Sequence, residues 1–283
     1  MNAHRHLRVL AAALGVAAAT GVATAQEPER GRGEVVLATT TSLYDTGLLD
    51  SLGPLFRRRT GYTLRTVAVG SGQALRMGER GDADVILAHS PAAEAAFMGA
   101  GHGRRRLVVA SNYFTIAGPP EDPAGVRQAA SAAEALGRIA RSGGVFVSRG
   151  DSSGTHQREL ALWRDAGGRP HWPGYLETGQ GMSASLLVAD ERRGYALTDR
   201  ATLGALQRRV DLVALRGAEP ALLNVYHVIA VNPAGRPRVN AAGARAFADF
   251  VSSAEVQDLI ASYGVARFGE PLFVPAWGRE PPP

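Results

Sequence analysis

With 283 residues, 45% of them apolar and 20% charged, the chain has the make-up of a soluble globular protein with room for two lobes of ordinary size. It contains no cysteine, which excludes disulfides, thiolate metal sites and cysteine nucleophiles. The formal charge is +5, but all 31 basic residues are arginine. They are scattered in short groups, such as Arg57 to Arg59 and Arg104 to Arg106, without interleaved aromatics, so they read as a solvated surface and not as a nucleic-acid footprint.

Arg5 and Arg8 precede an apolar run from Val9 to about Val22, and Ala23-Thr-Ala25 is a small-x-small cleavage site. Residues 1–25 are therefore expected to be a secretory signal peptide, too short to span a membrane stably. Without a cysteine to carry a lipid anchor, the exported protein is expected to be free in the periplasm.

Glu34 to Thr39 is a β-rich run that leads into Thr40-Thr41-Ser42. Leu43, Leu48, Leu49, Leu52, Leu55 and Phe56 then recur at helical spacing, with Asp45 expected in the first turn, where a carboxylate suits the dipole. A second strand, Thr63 to Val69, enters Gly70-Ser71-Gly72 and a helix. A third, Ala83 to Ala88, ends at His89-Ser90-Pro91 before another. Strands alternating with helices at this spacing predict parallel βαβ units.

Val108 to Ala117 is a longer extended stretch, followed by a break at Gly118 to Pro123 and a helical pattern from Val126 to Arg141. Val145 to Ser148 is a strand that runs into Arg149-Gly-Asp-Ser-Ser-Gly-Thr155 and a helix to about Ala166. Residues 167–174 read as loop. Gly179-Gln-Gly181 opens a helix, Gly194 to Thr198 is a short strand, and Ala201 to Leu206 is a helical turn. Leu222 to Val231 is the second long extended stretch, and amphipathic helices carrying Phe247 and Phe250 close the chain. The two long stretches fit either central strands of one large sheet or paired crossings between two α/β lobes. In the second arrangement lobe one is 34–112 plus 228–270, lobe two is 113–227, and 271–283 is a C-terminal tail.

Three strand-to-helix turns carry hydroxyls and glycine: Thr40 to Ser42, Gly70 to Gly72, and Ser148 to Thr155. Each alone fits an ordinary N-cap. Together, at the carboxyl ends of strands, they offer helix N-termini and fixed neutral donors to an anion. Arg149 adds a forked, charged donor beside Ser152, Ser153, Gly154 and Thr155. Asp151 is expected to pair with Arg149 and orient it.

These residues carry a resemblance. Thr39-Thr-Thr-Ser42 with Asp45 and Gly47-Leu-Leu49, Val69-Gly-Ser-Gly-Gln-Ala-Leu75, Ser148-Arg-Gly-Asp-Ser-Ser-Gly-Thr-His156 and Leu222-Leu-Asn-Val-Tyr226 are similar to the periplasmic tungstate-binding proteins of ABC importers. The resemblance implies a two-lobed type II periplasmic-binding-protein fold, each lobe a mostly parallel sheet flanked by helices, with two crossing strands. It implies capture of tungstate or molybdate in the cleft without chemistry on the ligand and without a cofactor, by a monomer that delivers to a membrane permease and its ATPase. By transfer, Thr40, Thr41, Ser42 and Ser71 bind from lobe one, and Arg149, Ser153, Gly154 and Thr155 from lobe two. Little weight falls on Tyr195.

Two alternatives stay open. A phosphate-binding protein shares the arginine-bearing turn. Phosphate near neutral pH carries a proton and favours a carboxylate acceptor, and phosphate-binding relatives place an aspartate where this chain has His89-Ser90-Pro91. A serine hydrolase is suggested by Gly150-Asp-Ser-Ser-Gly154, with His227 and Asp199 or Asp211 as nominal triad partners. His227 lies in an apolar extended run, where a packed or hinge histidine is expected. No histidine spacing predicts a metal site, and Trp163, Trp172 and Trp277 are expected to pack.

Overall fold

The computed structural model describes residues 33–276, so the expected signal peptide and residues 277–283 of the expected tail, Trp277 among them, lie outside the described residues. The first half of the chain is β1 (Gly33–Thr40), α1 (Thr41–Asp45), α2 (Leu48–Thr60), β2 (Tyr62–Val69), α3 (Ser71–Arg80), β3 (Val85–Ala88), α4 (Pro91–Gly99) and β4 (Gly103–Gly118). It continues with α5 (Ala132–Arg141), β5 (Phe146–Ser148), α6 (Gly154–Asp165), β6 (Tyr175–Glu177), α7 (Met182–Glu191), β7 (Tyr195–Asp199), α8 (Arg200–Leu206) and β8 (Val213–Ala214). The last elements are β9 (Leu223–Val231), α9 (Ala241–Val251), α10 (Ala254–Ser262), α11 (Val265–Phe268) and β10 (Val274–Pro275).

The strands lie in the order β2-β1-β3-β9-β4-β7-β5-β6, with β8 and β10 both pairing β4. Pairing divides this path into two sheets. In the first, β1 runs parallel to β2 and β3, and β9 is antiparallel to β3 and β4. In the second, β5 runs parallel to β6 and β7. Strand β4 belongs to both, pairing β9 as far as Tyr113 and β7 from Phe114. The two open readings of the long stretches thus meet: β4 is a central strand and also a crossing between lobes. Strand β9 pairs in the first sheet from Leu223 onward. Strand β10, within the expected tail, returns to β4 at Ser111 and Ala110.

Each sheet is covered by helices whose apolar faces build a separate core. Around the first sheet, Leu37, Leu52, Phe56, Phe247 and Phe250 pack together, with Phe56 edge-on to Phe247 at 5.2 Å between centroids. Around the second, Phe146, Trp163 and Leu197 form the centre, with Trp172 against Trp163. The expected packing role of these two tryptophans is what the structure shows.

Local chemistry sets the helix limits. Thr40, Ser131, Ser153, Asp199 and Asn240 each accept a first-turn N–H. Gly61 and Gly81 end helices in the left-handed region. Two expectations need correction. The helix predicted from Val126 is a short 3-10 turn followed by α5, because Ser131 starts a new cap. The helix predicted after Ser42 is broken at Thr46 and Gly47 (φ 78°), so Asp45 ends α1 and does not stand in a first turn. Asp50 holds that position in α2, while Asp45 accepts a hydrogen bond from Ser183 of the second lobe.

Candidate functional site

The turn after β1 is folded by its own hydroxyls. Thr40 Oγ1 accepts the Leu43 N–H at 3.3 Å and lies 3.3 Å from Ser42 Oγ. Capping uses an oxygen lone pair and leaves the hydroxyl hydrogen for another acceptor. The turn after β2 places Ser71 at the first residue of α3, fully buried, and its Oγ has no hydrogen-bond partner.

The turn between β5 and α6 is held more elaborately. Gly150 (φ 62°) and Ser152 (φ 59°) both take left-handed backbone. Asp151 Oδ1 accepts the Ser153 N–H at 3.1 Å, and Ser153 Oγ accepts the His156 N–H at 3.2 Å. The expected Arg149–Asp151 pair is formed. Arg149, only 3% exposed, also donates from Nε to Gln180 O at 3.1 Å. Thr155 is buried, and its Oγ1 has no partner.

The three turns meet. Arg149 Nη2 reaches Thr41 Oγ1 of the other lobe at 3.5 Å. A Cβ on Gly70 would lie 3.8 Å from Asp151 O, and one on Gly72 would lie 3.6 Å from Ser152 O. Gly154 lies flush against His89. Thr40, Thr41, Ser42, Ser71, Arg149, Ser153, Gly154 and Thr155 therefore stand on loop ends brought together between the two sheets.

Sequence reasoning missed several participants. Gly181, at the N-cap of α7, sits against Thr41, so a fourth helix start joins the group. The Gly-Gln-Gly sequence before that helix was the available signal. Glu159 anchors the arginine-bearing turn from beneath, accepting from Ser148 Oγ at 2.6 Å, the Tyr175 hydroxyl at 2.7 Å and Trp163 Nε1 at 3.2 Å. Burial raises its carboxyl above the usual range against those three donors. His89, singled out only for what it replaces, contacts Ser42 through Nε2 at 3.2 Å and Asn224 through Nδ1 at 3.0 Å. Burial lowers its imidazole below the ordinary value.

The nominal triad is not assembled. His227 pairs with Glu94 at 2.8 Å and with Arg106 at 3.1 Å. Asp199 caps α8, bonding Thr202 through both oxygens. Asp211 is exposed on a loop, where its N–H donates to Asp190. At Ser152 the histidine contact is structural, its backbone N–H donating to His156 Nδ1 at 3.0 Å. Tyr195 belongs to the core of the second lobe, where its hydroxyl accepts the Ala124 N–H. No group of His, Asp and Glu among the described residues could hold a metal ion.

Comparison with known proteins bears on the family and the fold. The family model described as a PBP superfamily domain matches residues 18–255. The tungstate-binding protein TupA of Peptoclostridium acidaminophilum is 42% identical over 280 residues, 96% of this chain and 98% of the relative. A solved structure of the tungstate ABC transporter from Geobacter sulfurreducens is similar with a TM-score of 0.75 at 43% identity, over 81% of this chain and 98% of that one. The tungstate-binding protein TupA from Desulfovibrio alaskensis G20 gives a TM-score of 0.70 at 43% identity, over 86% and 98%.

Proposed function

The chain belongs to the PBP superfamily, and from that premise we propose that it captures tungstate, or the equally charged and nearly equal-sized molybdate, between its lobes for an ABC importer. The observation that carries this reading is the pair of buried hydroxyls without partners, Ser71 Oγ on one lobe and Thr155 Oγ1 on the other. An unsatisfied buried hydroxyl costs about 1–3 kcal/mol. Two of them on turns that touch, beside a buried arginine, are accounted for by an acceptor shared between the lobes. Thr40, Thr41, Ser42 and Ser71 bind it from the first lobe, and Arg149, Ser153, Gly154 and Thr155 from the second. Four helix starts contribute partial positive charge.

The cargo is bound through its oxide oxygens by hydrogen bonds and undergoes no reaction, so no cofactor is required. Hydrogen phosphate needs an acceptor for its proton, and the carboxylate of the arginine turn is already engaged by Arg149 and the Ser153 N–H. The chain acts as an exported monomer in the periplasm, with a membrane permease and its ATPase as partners and no nucleic acid. The lobes run 34–112 plus 228–270 and 113–227, with the pairing of β9 favouring a return a few residues earlier, at Leu223.

Competitive calorimetry tests the assignment. Tungstate should bind at a single site and molybdate should displace it, while sulfate and phosphate compete far less well. Phosphate binding as tight as tungstate binding would overturn the choice of cargo.

A further inference from the structure

His89 ends a chain of buried side chains that starts at the second sheet. Asp199 accepts the Thr202 N–H at 2.8 Å and the Thr202 hydroxyl at 2.6 Å, and Asn112 Nδ2 donates to its Oδ1 at 3.4 Å. Asn112 and Asn224 are directly opposed on β4 and β9, next to where β4 passes from one sheet to the other. Asn224 Nδ2 donates to Asn112 Oδ1 at 2.8 Å and to the Tyr226 hydroxyl at 3.0 Å. His89 Nδ1 lies 3.0 Å from Asn224 Oδ1, and His89 Nε2 lies 3.2 Å from Ser42 Oγ.

The direction of every bond in this chain follows from one end. Asp199 Oδ1 already accepts the Thr202 N–H and so is an acceptor, which means that Asn112 must turn its NH2 to Asp199 and its carbonyl to Asn224. Asn224 must then answer with its NH2, and its own carbonyl faces His89. Reversing either amide would set oxygen against oxygen in a buried place. The His89 Nδ1 therefore carries a hydrogen.

A neutral imidazole has one donor and one acceptor nitrogen. With Nδ1 as donor, the Nε2 of neutral His89 takes the Ser42 hydroxyl hydrogen and leaves only lone pairs on that oxygen. An unprotonated oxyanion gains nothing from such a group. A histidinium keeps the Nδ1–H and the whole chain unchanged, but it donates from Nε2 to Ser42 Oγ and frees the Ser42 hydrogen for the cleft.

We propose that His89 is a positioning residue through which capture of a bare dianion takes up a proton, with Asp199, Asn112 and Asn224 fixing the nitrogen that receives it. The proposal rests on the oxyanion reading above. Before cargo arrives, burial favours the neutral ring. Charged groups reach it from several sides: Asp199, Glu94 of α4, which is paired with Arg106 and His227, and Arg149, which is paired with Asp151. Tyr226 of β9 packs on it at 4.9 Å, Arg158 of α6 lines the same groove, and Asp45 ends the α1 turn below Ser42. A dianion among them adds two negative charges and favours the imidazolium. The captured state then holds more protons than the free state, so affinity falls as pH rises between the free and captured pKa values of His89.

The test is tungstate calorimetry on the full mature chain in buffers of different ionisation enthalpy, beside 15N NMR of the histidine side chains. Wild type should take up about one proton per tungstate where the coupling is complete, and affinity should fall by up to roughly tenfold per pH unit as pH rises above the lowered free-state pKa of His89. His89→Gln offers a neutral N–H donor to Ser42, so it should bind tungstate with no proton uptake and a flat pH profile. In the ligand-free spectrum His89 should carry hydrogen on Nδ1 only, and with tungstate on both nitrogens. Tight wild-type binding with no proton uptake, or a ligand-free ring protonated on Nε2 alone, would overturn the proposal. If tungstate gives no heat at all, the choice of cargo is overturned instead, and the ligand-free spectrum decides the proposal by itself.

Discussion

Arg149→Ala is expected to weaken tungstate binding by about 3–5 kcal/mol, roughly a hundredfold to several thousandfold. The arginine is nearly buried and joins three parts of the site: Gln180 before α7, Asp151 in its own turn and Thr41 of the opposite lobe. Its removal takes a charged fork from the anion and also leaves Asp151 as an uncompensated negative charge within the same turn. The Asp151 contribution can be separated. Arg149→Ala combined with Asp151→Ala should recover part of the lost affinity, because the repulsive carboxylate goes with its partner. Arg149→Lys should fall between, keeping charge but losing the planar fork. Calorimetry on the four proteins measures each value. Unchanged affinity in Arg149→Ala would mean that the guanidinium only braces the turn.

Gly154→Val is expected to prop the lobes apart. A Cβ at this position would meet His89 O at 2.7 Å and His89 Nδ1 at 2.9 Å. The first is backbone and cannot swing aside. Gly154 belongs to α6 of the second lobe and His89 follows β3 of the first, so the collision exists only when the lobes are together. Each lobe keeps its own core, and thermal stability without ligand should change little. Closure should cost about 1–3 kcal/mol more, which weakens tungstate binding by roughly fivefold to 150-fold. Small-angle scattering should show the wild type contracting on addition of tungstate and the variant contracting less. A variant that binds and contracts like wild type would show that His89 and Gly154 are not in contact in the captured state.

Much of this arrangement was legible in sequence because its signals are local. Hydroxyls and glycines between a β-rich run and a helical pattern marked all three turns, and a strand with two sets of partners was visible as an unusually long extended stretch. What stayed hidden depends on contacts across long separations. Asn112 and Asn224 are 112 residues apart, and His89 is 135 residues from Asn224. Nothing near His89 in sequence announces that its tautomer matters. Short strands were lost for a different reason. Strand β6 has three residues after a Gly/Pro-rich loop and is fixed only by pairing with β5. The misplaced role of Asp45 came from a smooth helical pattern of leucines. That pattern could not show that Thr46 and Gly47 break the helix and turn the carboxylate toward Ser183.

Anomalous scattering at a tungsten absorption edge, from crystals grown with tungstate, tests most directly whether loop ends from both lobes hold one oxyanion. One strong peak is expected within reach, through its oxide oxygens, of Ser71 Oγ, Thr155 Oγ1 and the Arg149 guanidinium. A peak bound by one lobe alone, or lying outside the space between the two turns, would contradict it.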